Sequence, residues 1–169
     1  MKQKVEPWLR GTRTELDAVR RGVIHALELA AEDVASWCAG LSDGEMEQQP
    51  VGLAPVGFHV RHVARSLDRL LTYAENQQLS ERQLKALKRE MEGGSKEATL
   101  MEFAEAIEVS VTRILALSGK SYEERRVVGR KKLATTLGGL LVHCADHSQR
   151  HAGQAVTTAK LVTAVRGRS

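Results

Sequence analysis

Apolar residues recur every three or four positions through most of the chain, the spacing of helices that each bury one stripe. Leu16, Val19, Val23, Leu27, Ala30, Val34 and Trp37 or Cys38 mark a first helix, with Thr14 as its expected N-cap and Gly40 as its stop. A polar, turn-rich stretch from Ser42 to Gly52 reads as a loop. Val56, Val60, Val63, Leu67, Leu70, Leu71 and Ala74 then predict a second helix from about Pro55 to Asn76, with Pro55 where a first helical turn accepts it. Ser80 followed by Gln83 is a capping-box pattern and predicts a shorter helix that ends at Gly93-Gly94. Leu100, Phe103, Ala104, Ile107, Val111, Ile114 and Leu115 predict another long helix from about Lys96 to Ser118. Ser121 to Lys132 is a charged connector in which Val127 and Val128 suit a brief extended piece. The last helix starts near Thr135 or Thr136 and runs to about Val165.

Four long helices, each with a stripe to bury and no strands to bury it against, imply an all-α four-helix bundle with a short extra helix between the second and third long ones. At 169 residues the chain suits a single domain, 1–169, with residues 1–12 as an irregular lead-in and 166–169 as a frayed tail. Trp8 is expected to pack back onto the body. An aromatic content of 4% and three prolines favour helices over a sandwich or barrel. The net charge of +4 is mildly basic. With no recognition helix, zinc finger or basic–aromatic stripe, it does not point to a nucleic-acid partner. Cys38 and Cys144 lie far apart and fit no disulfide framework, so a reducing, cytoplasmic setting is the simplest expectation. Met1 to Arg10 is charged and lacks the apolar segment of a signal peptide, and no apolar run is long enough to span a membrane.

Candidate chemistry concentrates in the histidines. Three of the six, His143, His147 and His151, recur at intervals of four near the C-terminal end, and residues four apart stack on one helix face. His59 and His62 sit together on the second helix. On a wheel advancing roughly 100° per residue, His151 faces the bundle interior, His147 its edge, and His143 lies closer to solvent. His147 and His151 are therefore the expected chelating pair, with His143 exposed or in an outer layer. A catalytic zinc, nickel or iron site usually takes three protein ligands and keeps an open position, so a third must come from another helix. Periodicity alone favours His59, which lies nearer the apolar stripe than His62. His25, on the first helix, is expected to be a packing or surface residue, and Cys38 and Cys144 inert core.

The stretch from Ala54-Pro55-Val56-Gly57-Phe58-His59 through His62-Val63-Ala64, together with His147-Ser148-Gln149-Arg150-His151-Ala152-Gly153-Gln154, resembles the DinB-like (DinB/YfiT) metalloenzyme superfamily. The resemblance covers most of the chain. It implies a four-helix bundle, commonly a homodimer, in which three histidines bind a divalent ion, zinc, nickel or iron. Carried over residue by residue, the ligands are His62, His147 and His151, which sets the resemblance against the wheel on the second helix. His59 then becomes a pocket or outer-layer candidate, and Arg150 and Gln154, flanking His151, join it.

Characterised branches of that superfamily use the metal to handle a low-molecular-weight thiol. The implied function is a metal-dependent thiol S-transferase of detoxification type, acting on a small molecule, although the sequence assigns no catalytic residue. Arg125, Arg126, Arg130, Lys131 and Lys132 in the connector are candidates for holding the carboxylates of such a thiol. The alternatives are a metal-hydroxide hydrolase using Asp68 or Asp146 as base, and a stress-related metal-binding protein without activity.

Overall fold

The computed structural model describes residues 5–166. The start of the expected lead-in and residues 167–169 of the expected tail lie outside the described residues. The chain is mostly helical. Its elements are α1 (Ala18–Cys38), α2 (Asp43–Met46), α3 (Val56–Ala74), α4 (Glu81–Lys88), α5 (Lys96–Ala116), a hairpin of β1 (Arg125–Val128) and β2 (Leu133–Thr136), and α6 (Leu137–Arg166). Among the long helices, α6 packs against α1 and α3, and α5 packs against α3 and α1. The core between them is aliphatic: Ile24, Leu27, Val60, Val63, Leu67, Leu71, Ile114, Leu141, Ala155 and Val162 are all buried.

Several boundaries differ from the periodic reading, each for a local reason. The N-cap of α1 is Asp17 rather than Thr14, because its carboxylate accepts from the backbone N–H groups of Val19 and Arg20. The same carboxylate also takes the Arg20 guanidinium and the Tyr122 hydroxyl. The expected loop from Ser42 contains a complete capping box, Ser42 with Glu45, and so begins with the four-residue helix α2. Four residues are too few for any periodicity to show. Trp8 does not pack onto the body. It is 62% exposed, and its indole N–H donates to Glu6, while Pro7 beside it is the buried residue.

The charged connector is more ordered than expected. Val127 pairs with Ala134 and Val128 with Leu133 across a tight turn, and Thr135 and Thr136 belong to the second strand, not to the helix. The strand runs straight into α6. The orphan N–H groups of Leu137 and Gly138 donate to the carbonyls of Glu124 and Tyr122, and Gly139 N–H donates to Thr136 Oγ1. A Cβ on Gly138 would sit 3.0 Å from Tyr122 Cβ, and one on Gly139 would sit 2.8 Å from Thr135 Oγ1. The glycine pair thus lets the connector close over the start of α6. Further along, Gln149 donates to the Ala26 carbonyl at 2.6 Å, which fixes the rotation of α6 against α1. Among the described residues, no helix is long and apolar enough to cross a membrane.

Candidate metal centre

α3 forms because Val56, Val60, Val63, Leu67 and Leu71 give it a continuous buried stripe behind the extended Pro55. It also buries polar residues. Arg61 is 3% exposed, and Ser66 and Thr72 are also buried. Charges survive there only when partnered. Arg61 meets Glu47 at 2.7 Å and Arg65 meets Glu102 at 2.7 Å. Arg69 meets Glu90 at 2.6 Å. Gly57 makes room for the first pair, since a Cβ there would lie 2.4 Å from Glu47 Oε1. His62 stands on this polar side of α3.

Opposite it, α6 presents His147 and His151 one turn apart. One ligand atom from each of His62, His147 and His151 lies within 4.8 Å of the others, and this group contains no sulfur or carboxylate donor. His62 Nε2 and His147 Nε2 are 3.0 Å apart. Two imidazole nitrogens on one tetrahedral zinc lie about 3.4 Å apart, so the spacing fits a shared divalent ion with small ring rotations. Three neutral imidazoles leave a bound ion its full charge and an open position. The donor set could bind a metal.

The rings of His147, His151 and His59 are kept neutral by their surroundings. Burial, with the charge of a protonated His62 adding to it, lowers the His147 pKa to about 4. The same two causes lower His151 to about 4 and His59 to about 4. Such rings keep their lone pairs available at neutral pH.

His59 stands just outside this group. It is more buried than His62, as the stripe implied, yet its Nδ1 meets His151 Nδ1 at 3.0 Å instead of joining the three donors. Depth on the wheel and convergence of nitrogens are different properties, and His62 has the second. His143 is half exposed, with its ring 5.3 Å from that of His147 and its Nδ1 3.9 Å from Asp146. A cavity of about 500 Å³ lies against His59 and is also lined by Leu53, Arg150, Gln154 and Thr157. Arg150 and Gln154 are both exposed to solvent, and Arg150 is paired with Asp146. His25 lies apart from the cluster, buried beside Thr12 Oγ1 at 3.2 Å.

Cys144 is inert core, as expected: it is fully buried, and burial pushes its thiol up to about 12, with Arg113 opposing weakly. Other candidates from the sequence fall away. Asp68 is held by Arg113 at 3.0 Å. The basic connector packs at the end of α3 away from His62. Arg126 is buried and donates to the carbonyl of Ala74 at the far end of α3, twelve residues beyond His62 and so about 18 Å along the axis. A larger cleft of about 1030 Å³ between α3, α4 and α5 is lined by none of the histidines, and its Arg61, Arg65 and Arg113 are each tied to carboxylates.

The residue that sequence reasoning missed is Glu90, in the connection after α4. Its Oε2 meets His62 Nδ1 at 2.8 Å. Burial alone would raise its pKa, but the His62 hydrogen bond and the Arg69 charge outweigh this and hold it below the usual carboxylate range. One glutamate in the run Arg89-Glu90-Met91-Glu92 carries no local signal.

No curated protein and no solved structure matches the chain significantly. The family model of the DinB superfamily matches residues 26–155, a span that holds all five clustered histidines and Glu90. With that span covering most of the chain and the helices and histidines arranged as described, the chain belongs to the DinB superfamily.

Proposed function

We propose that this protein is a metal-dependent enzyme that activates a low-molecular-weight thiol for transfer to an electrophile, with His62, His147 and His151 as the metal ligands. In this reading the ring of α1, α6, α3 and α5 is a single-domain four-helix bundle of the superfamily type, working in the cytoplasm as a homodimer. One observation carries it: three imidazole nitrogens from two helices lie within 4.8 Å of one another. A bound divalent ion would act as a Lewis acid that lowers the pKa of a thiol at its open position and so supplies a nucleophile at neutral pH.

The chain's own residues supply the rest. His147 and His151, neutral because they are partly buried, offer lone pairs rather than protons. His59 supports His151 through the 3.0 Å contact between their Nδ1 atoms and presents the rest of its ring to the adjacent cavity. Arg150 and Gln154 at the cavity edge are placed to meet the polar groups of a small molecule, a task the distant connector is not placed to perform. The hydrolytic alternative has weaker support, since Asp68 and Asp146 are engaged by Arg113 and Arg150.

The test is thiol consumption by purified protein loaded with Zn²⁺ or Ni²⁺, against a panel of reactive electrophiles. The reading predicts turnover that disappears in the metal-free protein and in His151→Ala. No consumption above the metal-free background for any thiol tried would contradict it.

A further inference from the structure

His62 is enclosed by a closed circuit of contacts. Its Nδ1 meets Glu90 Oε2 at 2.8 Å, and Glu90 Oε1 accepts from Arg69 at 2.6 Å. A second Arg69 nitrogen donates to Ser66 Oγ at 3.0 Å, and Ser66 Oγ lies 3.3 Å from His62 Nε2. Ser66 and Arg69 follow His62 on α3 at the spacing that puts them on its face. Glu90 comes from elsewhere, and its burial is out of keeping with its neighbours. It is 8% exposed, while Arg89, Met91 and Glu92 on either side are exposed. The chain thus turns one carboxylate inward from a solvent-facing segment, which is unfavourable unless both oxygens are satisfied. Both are. The segment itself is pinned, because Arg65 donates to the Arg89 carbonyl at 3.1 Å and to Glu102 at 2.7 Å.

The chemistry of that contact is directional. An ionised carboxylate only accepts, so the hydrogen must sit on His62 Nδ1. The neutral ring then has its lone pair on Nε2, the atom that faces His147. Metal-binding histidines are generally set by such an outer acceptor, which fixes both the tautomer and the ring plane.

We propose that Glu90 is the positioning residue of the metal centre, holding His62 with Nδ1 protonated and Nε2 turned toward His147 and His151, while Arg69 holds Glu90. This rests on the reading of His62 as a metal ligand. The competing account is that Glu90 and Arg69 only tie the α4–α5 connection to α3 and touch His62 incidentally.

Two measurements separate them, and neither needs activity. The first is Zn²⁺ affinity by competition with a chromophoric chelator. Glu90→Ala should bind about 10- to 100-fold more weakly than the unmodified chain, the usual cost of losing an outer partner. Glu90→Gln keeps an acceptor oxygen and should recover part of that loss. Glu75→Gln, which weakens the Arg113 ion pair at the other end of α3, should stay within about twofold, since it touches neither a candidate ligand nor the Glu90 segment. The second is ¹⁵N NMR of the metal-free protein at the alkaline end of the titration. His62 should carry its proton on Nδ1, and Glu90→Gln should weaken that preference. Zn²⁺ binding by Glu90→Ala within about twofold of the unmodified chain would overturn the proposal. So would a His62 proton found on Nε2. Should Glu90→Ala fail to fold, Glu90→Gln and the NMR of the unmodified chain decide. If the unmodified chain retains no metal, the ligand reading fails, and the tautomer alone shows whether Glu90 holds the ring.

Discussion

α3 and α6 carry the two halves of the candidate centre and hold them in different ways. α3 is covered on two sides. Its aliphatic stripe faces the core, and its polar side is closed by Glu47, Glu90 and Glu102 from the segments around it. α6 is buried along one side only, through small residues such as Ala152, Ala155 and Ala159, and its outward positions from Val142 to Arg150 meet solvent. His62 is therefore gripped by Glu90 and Ser66 as well as by His147, whereas the nearest ring neighbours of His147 and His151 are other histidines. The lesson is that two candidate ligands on one helix follow directly from four-residue spacing, while the lone candidate on the other helix needs an environment built from distant parts of the chain.

That contrast can be broken most severely on α3. Glu47→Ala would leave the Arg61 guanidinium buried without its carboxylate and should lower stability by about 3 kcal/mol. Leu67→Ala, on the apolar side of the same helix, should cost a similar amount, about 2–5 kcal/mol. Denaturant melts of both variants check the claim that α3 depends on both sides. A Glu47→Ala cost below about 1 kcal/mol would show that the polar side is not held as described.

An intermediate effect should come from pH. The folded-state pKa values of His59, His147 and His151 are lowered to about 4 by burial and by the charge on His62, against an unfolded value near 6.5. Between these values the unfolded chain binds more protons, so stability is intact above about pH 6.5 and is lost as the pH falls toward 4. The Tm of metal-free protein should drop by at least about 5 °C across that window. A His59→Gln, His147→Gln, His151→Gln triple variant should flatten the slope, and an unchanged slope would remove these rings as its cause.

The smallest effect should lie on the open side of α6. Arg150→Ala removes an exposed ion pair with Asp146 and should change stability by less than about 1 kcal/mol. A loss of metal affinity in that variant would mean that the outward side of α6 supports the centre after all.

Most of the fold was legible in the sequence because long helices repeat their burial every three or four residues. The extents of α3, α5 and α6 follow from their stripes, and the Ser80–Gln83 box marks the start of α4. What escaped was local or long-range. Asp17 caps α1 through the Val19 and Arg20 N–H groups, and its carboxylate also meets Tyr122, which is 105 residues away. Val127 and Val128 marked the first strand of the hairpin, but Leu133–Thr136 has too few apolar positions to announce the second. In the site, the spacing of His147 and His151 placed them together. A wheel scored for apolar residues preferred His59 to His62, because a polar side buried by ion pairs looks like a solvent-facing one. The family resemblance pointed to His62, and geometry sets that residue among the converging nitrogens. Glu90 was invisible because its meaning depends on a fold that brings it against a residue 28 positions away.

The central claim is that His62, His147 and His151 act together on one ion. Metal content measured on protein purified without a histidine tag tests it most directly. The account predicts about one divalent ion per chain, lost in each of His62→Ala, His147→Ala and His151→Ala, but kept in His143→Ala. Stoichiometric metal retained by any one of the first three variants would contradict it.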